Sequence, residues 1–223
     1  MEPMNYLAHA LPFLDDPYFV AGTAVPDWLT VVDRRVRVRA KGVEPLAGDP
    51  DGVTAAVARG VLQHLRDDRH FHATRALAET SIELAAAIRR VWPSDGGFGA
   101  SFAGHLLVEV LLDATLAADH PAALDAYYRA LQAVDGRAVE EAVNRMATRT
   151  TRRLAAFMAL FCRARILWDY LEDDKLWRRL NQVMRRVGLG PLPDEALSLL
   201  PAARDLLRRR RHDLLEGLPT LRE

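Results

Sequence analysis

Apolar positions along this chain recur at helical spacing, and strand-like alternation is nearly absent. The pattern predicts a helix from Val53 or Thr54 to about His72, with Asp51 or Thr54 as its cap. A second helix is expected from about Thr74 to Val91, stopped by Pro93 and the Gly96-Gly97 pair, and a third from roughly Phe98 to Ala118. Pro121 suits the first position of the next helix, with Asp119 before it as a cap. After the break at Asp135-Gly136, two long helices are expected, about 138–165 and 166–187, ended by Gly188, Gly190, Pro191 and Pro193. Asp194 then caps a last helix to about Leu215. One stretch leans towards β structure, Val31 to Arg39, where Val36 and Val38 alternate with arginine. It has no obvious partner strand and reads as a loop or short extended segment. The expected fold class is all-α, a single helical domain over residues 1–223. Residues 4–130 would form its core, with the helices of 137–223 packed on it.

Half of the 223 residues are apolar, enough to bury a sizeable core. Thirty basic residues balance thirty acidic ones, which argues against a binder of duplex nucleic acid. The balance is uneven along the chain. Residues 1–136 hold 12 basic and 18 acidic residues, and residues 137–223 hold 18 and 12. Such asymmetry marks an interaction surface or an acidic metal site, or else ion-pair faces that happen to segregate. The run Arg208 to His212 reads as a solvated face, or as a docking surface for an acidic partner. A single cysteine, Cys162, excludes a disulfide framework and a Cys-rich zinc site. The first residues lack a basic region followed by an apolar run, and the apolar stretch near position 106 is broken by Glu109 and Asp113. These features give the expectation of a cytoplasmic protein without a transmembrane segment.

The chemistry concentrates on two stripes. In Gly104 to Asp113, residues four apart fall on one side of a helix, so His105, Glu109 and Asp113 project together. Every other residue from 106 to 112 is apolar, the mark of a buried helix. Burying carboxylates costs several kcal/mol unless they are paired or coordinate a metal. A cation, or arginines from neighbouring helices, must therefore answer this stripe. His64, Asp68 and His72 form a second stripe of the same spacing. His70 lies off it, and Asp67 falls on another flank, as a surface group or one that orients an imidazole. Helix pairs offering ligands in this way can build a di-metal site inside a bundle. His9, among apolar residues, is a further candidate ligand or a hydrogen-bonded core residue. Asp27 follows Pro26 between apolar residues, which suggests a turn aiming a carboxylate inward, or an N-cap.

The segment Met4-Asn5-Tyr6-Leu7-Ala8-His9 resembles the start of the acyl-carrier-protein phosphodiesterase family. Gly60-Val61-Leu62-Gln63-His64, with Asp68 and a ligand at 72, is similar to that family's second motif. Ala24-Val25-Pro26-Asp27 and the Gly104-His105 helix resemble zinc-dependent phospholipase C-like proteins. Both resemblances imply a metal phosphohydrolase with a helical bundle of HD-domain style over residues 4–130, to which the helices of 137–223, outside the resemblance, would be added. The chain lacks the adjacent His-Asp pair of ordinary HD domains, since Asp119-His120 has the reverse order. It also carries His72 where the carrier-protein type tends to have an acidic residue.

The combined expectation is a phosphoric ester hydrolase that uses water activated by one or two divalent ions, zinc, manganese or iron. Its candidate ligands are His9, Asp27, His64, Asp68, His72, His105, Glu109 and Asp113. Arg66, Arg69 and Arg75 are candidates for neutralising phosphate. The substrate would be a phosphorylated small molecule, a lipid head group or a phosphopantetheinyl carrier protein. The alternative is a non-catalytic metal-binding or scaffold protein with a basic, partner-binding C-terminal half. A carboxylate di-iron oxidoreductase is disfavoured because the paired Glu-x-x-His motifs are missing.

Overall fold

Helices carry the fold in a computed structural model that describes residues 5–92 and 97–219, and no strand occurs among the described residues. Met4, Pro93 and Gly96, which entered the sequence reading, lie outside them. The helices are α1 (Tyr6–Ala10), α2 (Pro17–Val32), α3 (Ala40–Val43), α4 (Gly52–His72), α5 (Arg75–Val91) and α6 (Phe98–Asp119). They continue with α7 (Pro121–Ala133), α8 (Gly136–Met146), α9 (Leu154–Ala164), α10 (Ile166–Asp169), α11 (Asp173–Arg186) and α12 (Leu200–Leu215).

Local chemistry accounts for most of the boundaries. Asp51 caps α4, accepting hydrogen bonds from Thr54 N at 3.2 Å and Thr54 Oγ1 at 2.6 Å. These bonds hold the Asp51 carboxyl below the usual carboxylate range. Thr74 caps α5 through Leu77 N at 3.2 Å, and Asp135 caps α8 through Arg137 N at 2.8 Å.

Several expectations need correction. Pro26 and Asp27 stand inside α2 and form no turn. That helix is opened by Asp16, which accepts from Phe19 N at 3.1 Å, with Pro17 at its start. Pro26 faces a glycine, Gly22, at the position whose carbonyl its ring crowds. The helix expected over 138–165 is two helices. Residues 147–153 between them are rich in β-branched threonine, and Ala147 pairs with Val38 in an isolated antiparallel bridge. Thr148 N donates to Arg37 O at 2.8 Å, and Arg37 N donates to Thr148 Oγ1 at 3.2 Å. Of the Val31–Arg39 stretch, Val31 and Val32 close α2, and the Arg37–Val38 end is extended and paired with residues 147–148. The helix expected over 166–187 is likewise broken, between α10 and α11. Asp119 ends α6, where it pairs with Arg211, and His120 precedes α7. Asp194 starts a 3-10 turn, Asp194–Leu199, with Pro201 in the first turn of α12.

The chain groups into two compact units, each assembled from separated segments. The first holds Met1–Arg69, His120–Arg165 and Pro219–Glu223. Its core includes Leu7, Val20, Trp28, Val57, Tyr127 and Phe161, with Trp28 and Phe161 edge to face at 5.3 Å. Helices α2 and α4 touch backbone to backbone at two glycines. A Cβ on Gly60 would lie 2.1 Å from Phe19 O, and one on Gly22 would lie 2.4 Å from Val57 O.

The second unit holds His70–Asp119 and Ile166–Leu218. Here α6 is the central rod, packed by α5, α10, α11 and α12. By length and hydropathy α6 is apolar enough to cross a membrane, and 83% of its most apolar window is buried within the protein. Gly104 brings α5 and α6 together, since a Cβ there would lie 2.7 Å from both Ala85 N and Ser81 O. This crossing sets the depth at which the next residue, His105, leaves α6. Arg204 braces the unit, donating to Asp173 at 2.7 Å and to Tyr170 O at 2.8 Å.

Candidate metal centre

Within the second unit α6 is buried on nearly every side. Leu106, Leu107, Val108, Val110, Leu111 and Leu112 are all buried, as are Glu109, which is 0% exposed, and Asp113, which is 1% exposed. A carboxylate at such depth needs a cation or proton donors aimed at it. Two imidazoles answer Glu109. His105 Nε2 is 3.0 Å from Glu109 Oε1, and His72 Nε2, from the end of α4, is 3.5 Å from the same oxygen. The two Nε2 atoms are 3.2 Å apart, and the rings stack with centroids 5.1 Å apart.

Three atoms thus form a small triangle with edges of 3.0, 3.2 and 3.5 Å. Donors bound at about 2.0–2.2 Å to one tetrahedral ion stand about 3.3–3.6 Å apart, and neighbouring donors of an octahedral ion about 2.8–3.1 Å apart. The three edges fall between about 2.8 and 3.6 Å, the span of the two geometries taken together, so these residues could hold a divalent ion. The donor set, two imidazoles and one carboxylate, suits zinc, manganese or iron. The His72 side chain is 28% exposed, so one side of the triangle reaches solvent while Glu109 forms its floor. Without a cation, the same contacts form when one imidazole donates its Nε2–H, shared between Glu109 Oε1 and the Nε2 lone pair of the other ring 3.2 Å away.

Three of the eight candidate ligands, His72, His105 and Glu109, are therefore brought together. Asp113 continues their stripe, buried one turn further along α6. The remaining candidates belong to the first unit. His9, Asp27 and His64 are each 1% exposed, and Asp68 is half-buried on α4. His64 Nε2 lies 3.7 Å from Asp27 Oδ1, and its ring packs on that of His9 with centroids 4.3 Å apart. Both ring nitrogens of His9 have hydrogen-bond partners: Nδ1 donates to Asp67 Oδ2 at 3.2 Å, and Nε2 meets the Asn5 amide oxygen at 3.1 Å.

Asp67 is not on the surface. It is 5% exposed and orients His9 while accepting from Gln63 Nε2 at 2.7 Å. Gln63 in turn accepts from Arg66 at 2.7 Å, which ties that guanidinium into the network. Of the two alternatives that the sequence left for Asp67, the one that orients an imidazole is found, while the roles of Asn5 and Gln63 were not foreseen. The Gln63–Asp67 step is an ordinary helical neighbour pair, but nothing in the sequence links Asp67 to His9, 58 residues away.

Of the other arginines, Arg75 is held by Glu79, and Arg69 is exposed with no ion-pair partner among the described residues. His70, set aside from the ligands on helical geometry, donates from Nε2 to the Glu216 carbonyl at 2.8 Å. Burial pushes the Cys162 thiol up from its ordinary value, away from reactivity. Comparisons with protein-family models, with curated proteins and with solved structures find no match for this chain.

Proposed function

We propose that the chain is a metal-dependent phosphoric ester hydrolase whose ion sits on His72, His105 and Glu109. The observation that carries this reading is the convergence of two imidazole nitrogens and one wholly buried carboxylate oxygen at ligand spacing, with one side reaching solvent. When bound, the ion supplies a water of lowered pKa and a positive charge against phosphate oxygens. The chain's own residues set the rest. His72 and His105 present Nε2 lone pairs, so each imidazole carries its proton on Nδ1. Glu109 contributes one negative charge and keeps the ion at a fixed depth against the apolar face of α6. A phosphate approaches from the His72 side. For Arg75, in the same unit, to meet it, the guanidinium must leave Glu79.

The resemblance of residues 4–130 to the carrier-protein phosphodiesterase type places phosphodiesters first among the substrates, whether of a carrier protein, a lipid head group or a small molecule. The test uses protein loaded with zinc or manganese and bis(p-nitrophenyl) phosphate, p-nitrophenyl phosphate and a broad phosphodiester panel. Metal-dependent turnover is expected, reduced at least about a hundredfold in His72→Ala and His105→Ala. Metal uptake with no turnover on any ester would overturn the hydrolase and leave a metal-binding scaffold.

A further inference from the structure

A groove in the second unit, sharing no residue with the metal triangle, has unspent recognition chemistry. It runs between α11 and the segment 191–194 as an open groove of about 580 Å³. That is the size of a small-molecule site, about 300–1,000 Å³. Leu176, Leu180, Val183 and Met184 turn one side of α11 into the core, while Trp177, Arg178, Gln182 and Arg185 line the groove. Asn181 makes its wall rigid: Oδ1 accepts from Leu192 N at 2.8 Å and Nδ2 donates to Trp177 O at 3.3 Å.

The arginines are the informative part. In this unit Arg179, Arg204, Arg208 and Arg211 are each paired with an aspartate. The Arg178 and Arg185 side chains line the groove with no hydrogen bond or ion pair among the described residues, as is also true of Arg90 and Arg209 elsewhere in the unit, and Asp194 is the one acidic side chain on the groove wall. The two arginines stand two turns apart, about 10 Å along the helix axis, a span for an extended anion and too long for a single phosphate at one point. Guanidinium groups bind phosphate oxygens in pairs, and an indole beside them offers a flat face for stacking.

We propose that this groove binds a nucleoside di- or triphosphate, with the phosphates on Arg178 and Arg185 and the base on Trp177. The site is independent of the metal triangle and of the hydrolase reading.

The test is isothermal titration of the full chain, stripped of metal with EDTA, with ADP, pyrophosphate and adenosine. One ADP per chain is expected, bound at least about tenfold more tightly than pyrophosphate or adenosine, since both halves contribute. Arg178→Ala and Arg185→Ala should each weaken ADP about tenfold with circular dichroism unchanged, because both side chains are exposed. Trp177→Ala should erase the preference for ADP over pyrophosphate. No saturable ADP binding up to millimolar concentration would overturn the proposal, as would binding that survives the double arginine variant. So would pyrophosphate binding as tightly as ADP. A polyglutamate peptide that binds through Arg178 and Arg185 where ADP does not would make the groove a protein-docking surface instead.

Discussion

Replacing His105 with alanine is expected to abolish the thermal stabilisation that zinc confers on the wild-type protein. A ligand present at about a hundred times its Kd adds about 2.7 kcal/mol to the folded state. For a chain of this size that raises Tm by roughly 5–10 °C. His105 Nε2 lies on two edges of the triangle, 3.0 Å from Glu109 and 3.2 Å from His72, so its loss leaves two donors and no chelate face. Its side chain is 15% exposed, so the variant should fold without zinc. Glu109→Gln sharpens the experiment. If no metal is bound in the native protein, the glutamine oxygen still accepts from an imidazole, and little changes beyond the loss of a buried charge. If the site holds metal, the neutral amide is a poor ligand and zinc stabilisation falls with the charge. Differential scanning fluorimetry with and without zinc reads both variants. Equal zinc-induced shifts in wild type, His105→Ala and Glu109→Gln would remove these residues from the ligand set.

Gly60→Ala is expected to destabilise the protein by about 3 kcal/mol or more, at the upper end of overpacking costs. Helix propensity alone argues the other way, since alanine replacing glycine inside a helix gains about 1 kcal/mol. Packing decides the sign. The new Cβ would lie 2.1 Å from Phe19 O and 2.9 Å from Gly22 Cα, so backbone meets backbone and no rotamer can relieve the contact. Helices α2 and α4 must separate, carrying Asp27 away from His64. Gly48→Ala is the control, since a Cβ there has nothing within 4 Å. Urea unfolding of both variants checks the result, and a stability of Gly60→Ala equal to that of Gly48→Ala would refute the close crossing.

The long helices were legible because periodicity, caps and breakers agree over α4, α5 and α6, and Asp51, Thr74 and Asp135 act as caps. The errors have physical causes. Pro26 reads as a breaker, yet α2 runs through it from Pro17 to Val32. The stretch after Met146 leaves the helix because a bridge to Val38 competes for its backbone, a long-range pairing that local pattern cannot reveal. The His105–Glu109 pair was readable from four-residue spacing on an apolar helix. The addition of His72 was readable only as a matching stripe, since its distance to His105 depends on how α4, α5 and α6 are joined. The Asp67–His9 contact had no signal at all.

A zinc-soaked crystal, mapped with anomalous scattering at the zinc edge, puts the metal reading at stake in one observation. The result expected is a peak inside the triangle, about 2.0–2.2 Å from His72 Nε2, His105 Nε2 and Glu109 Oε1. A map without a peak there, with an imidazole donating to the carboxylate across an ion-free centre, would contradict the metal site and the hydrolase built on it.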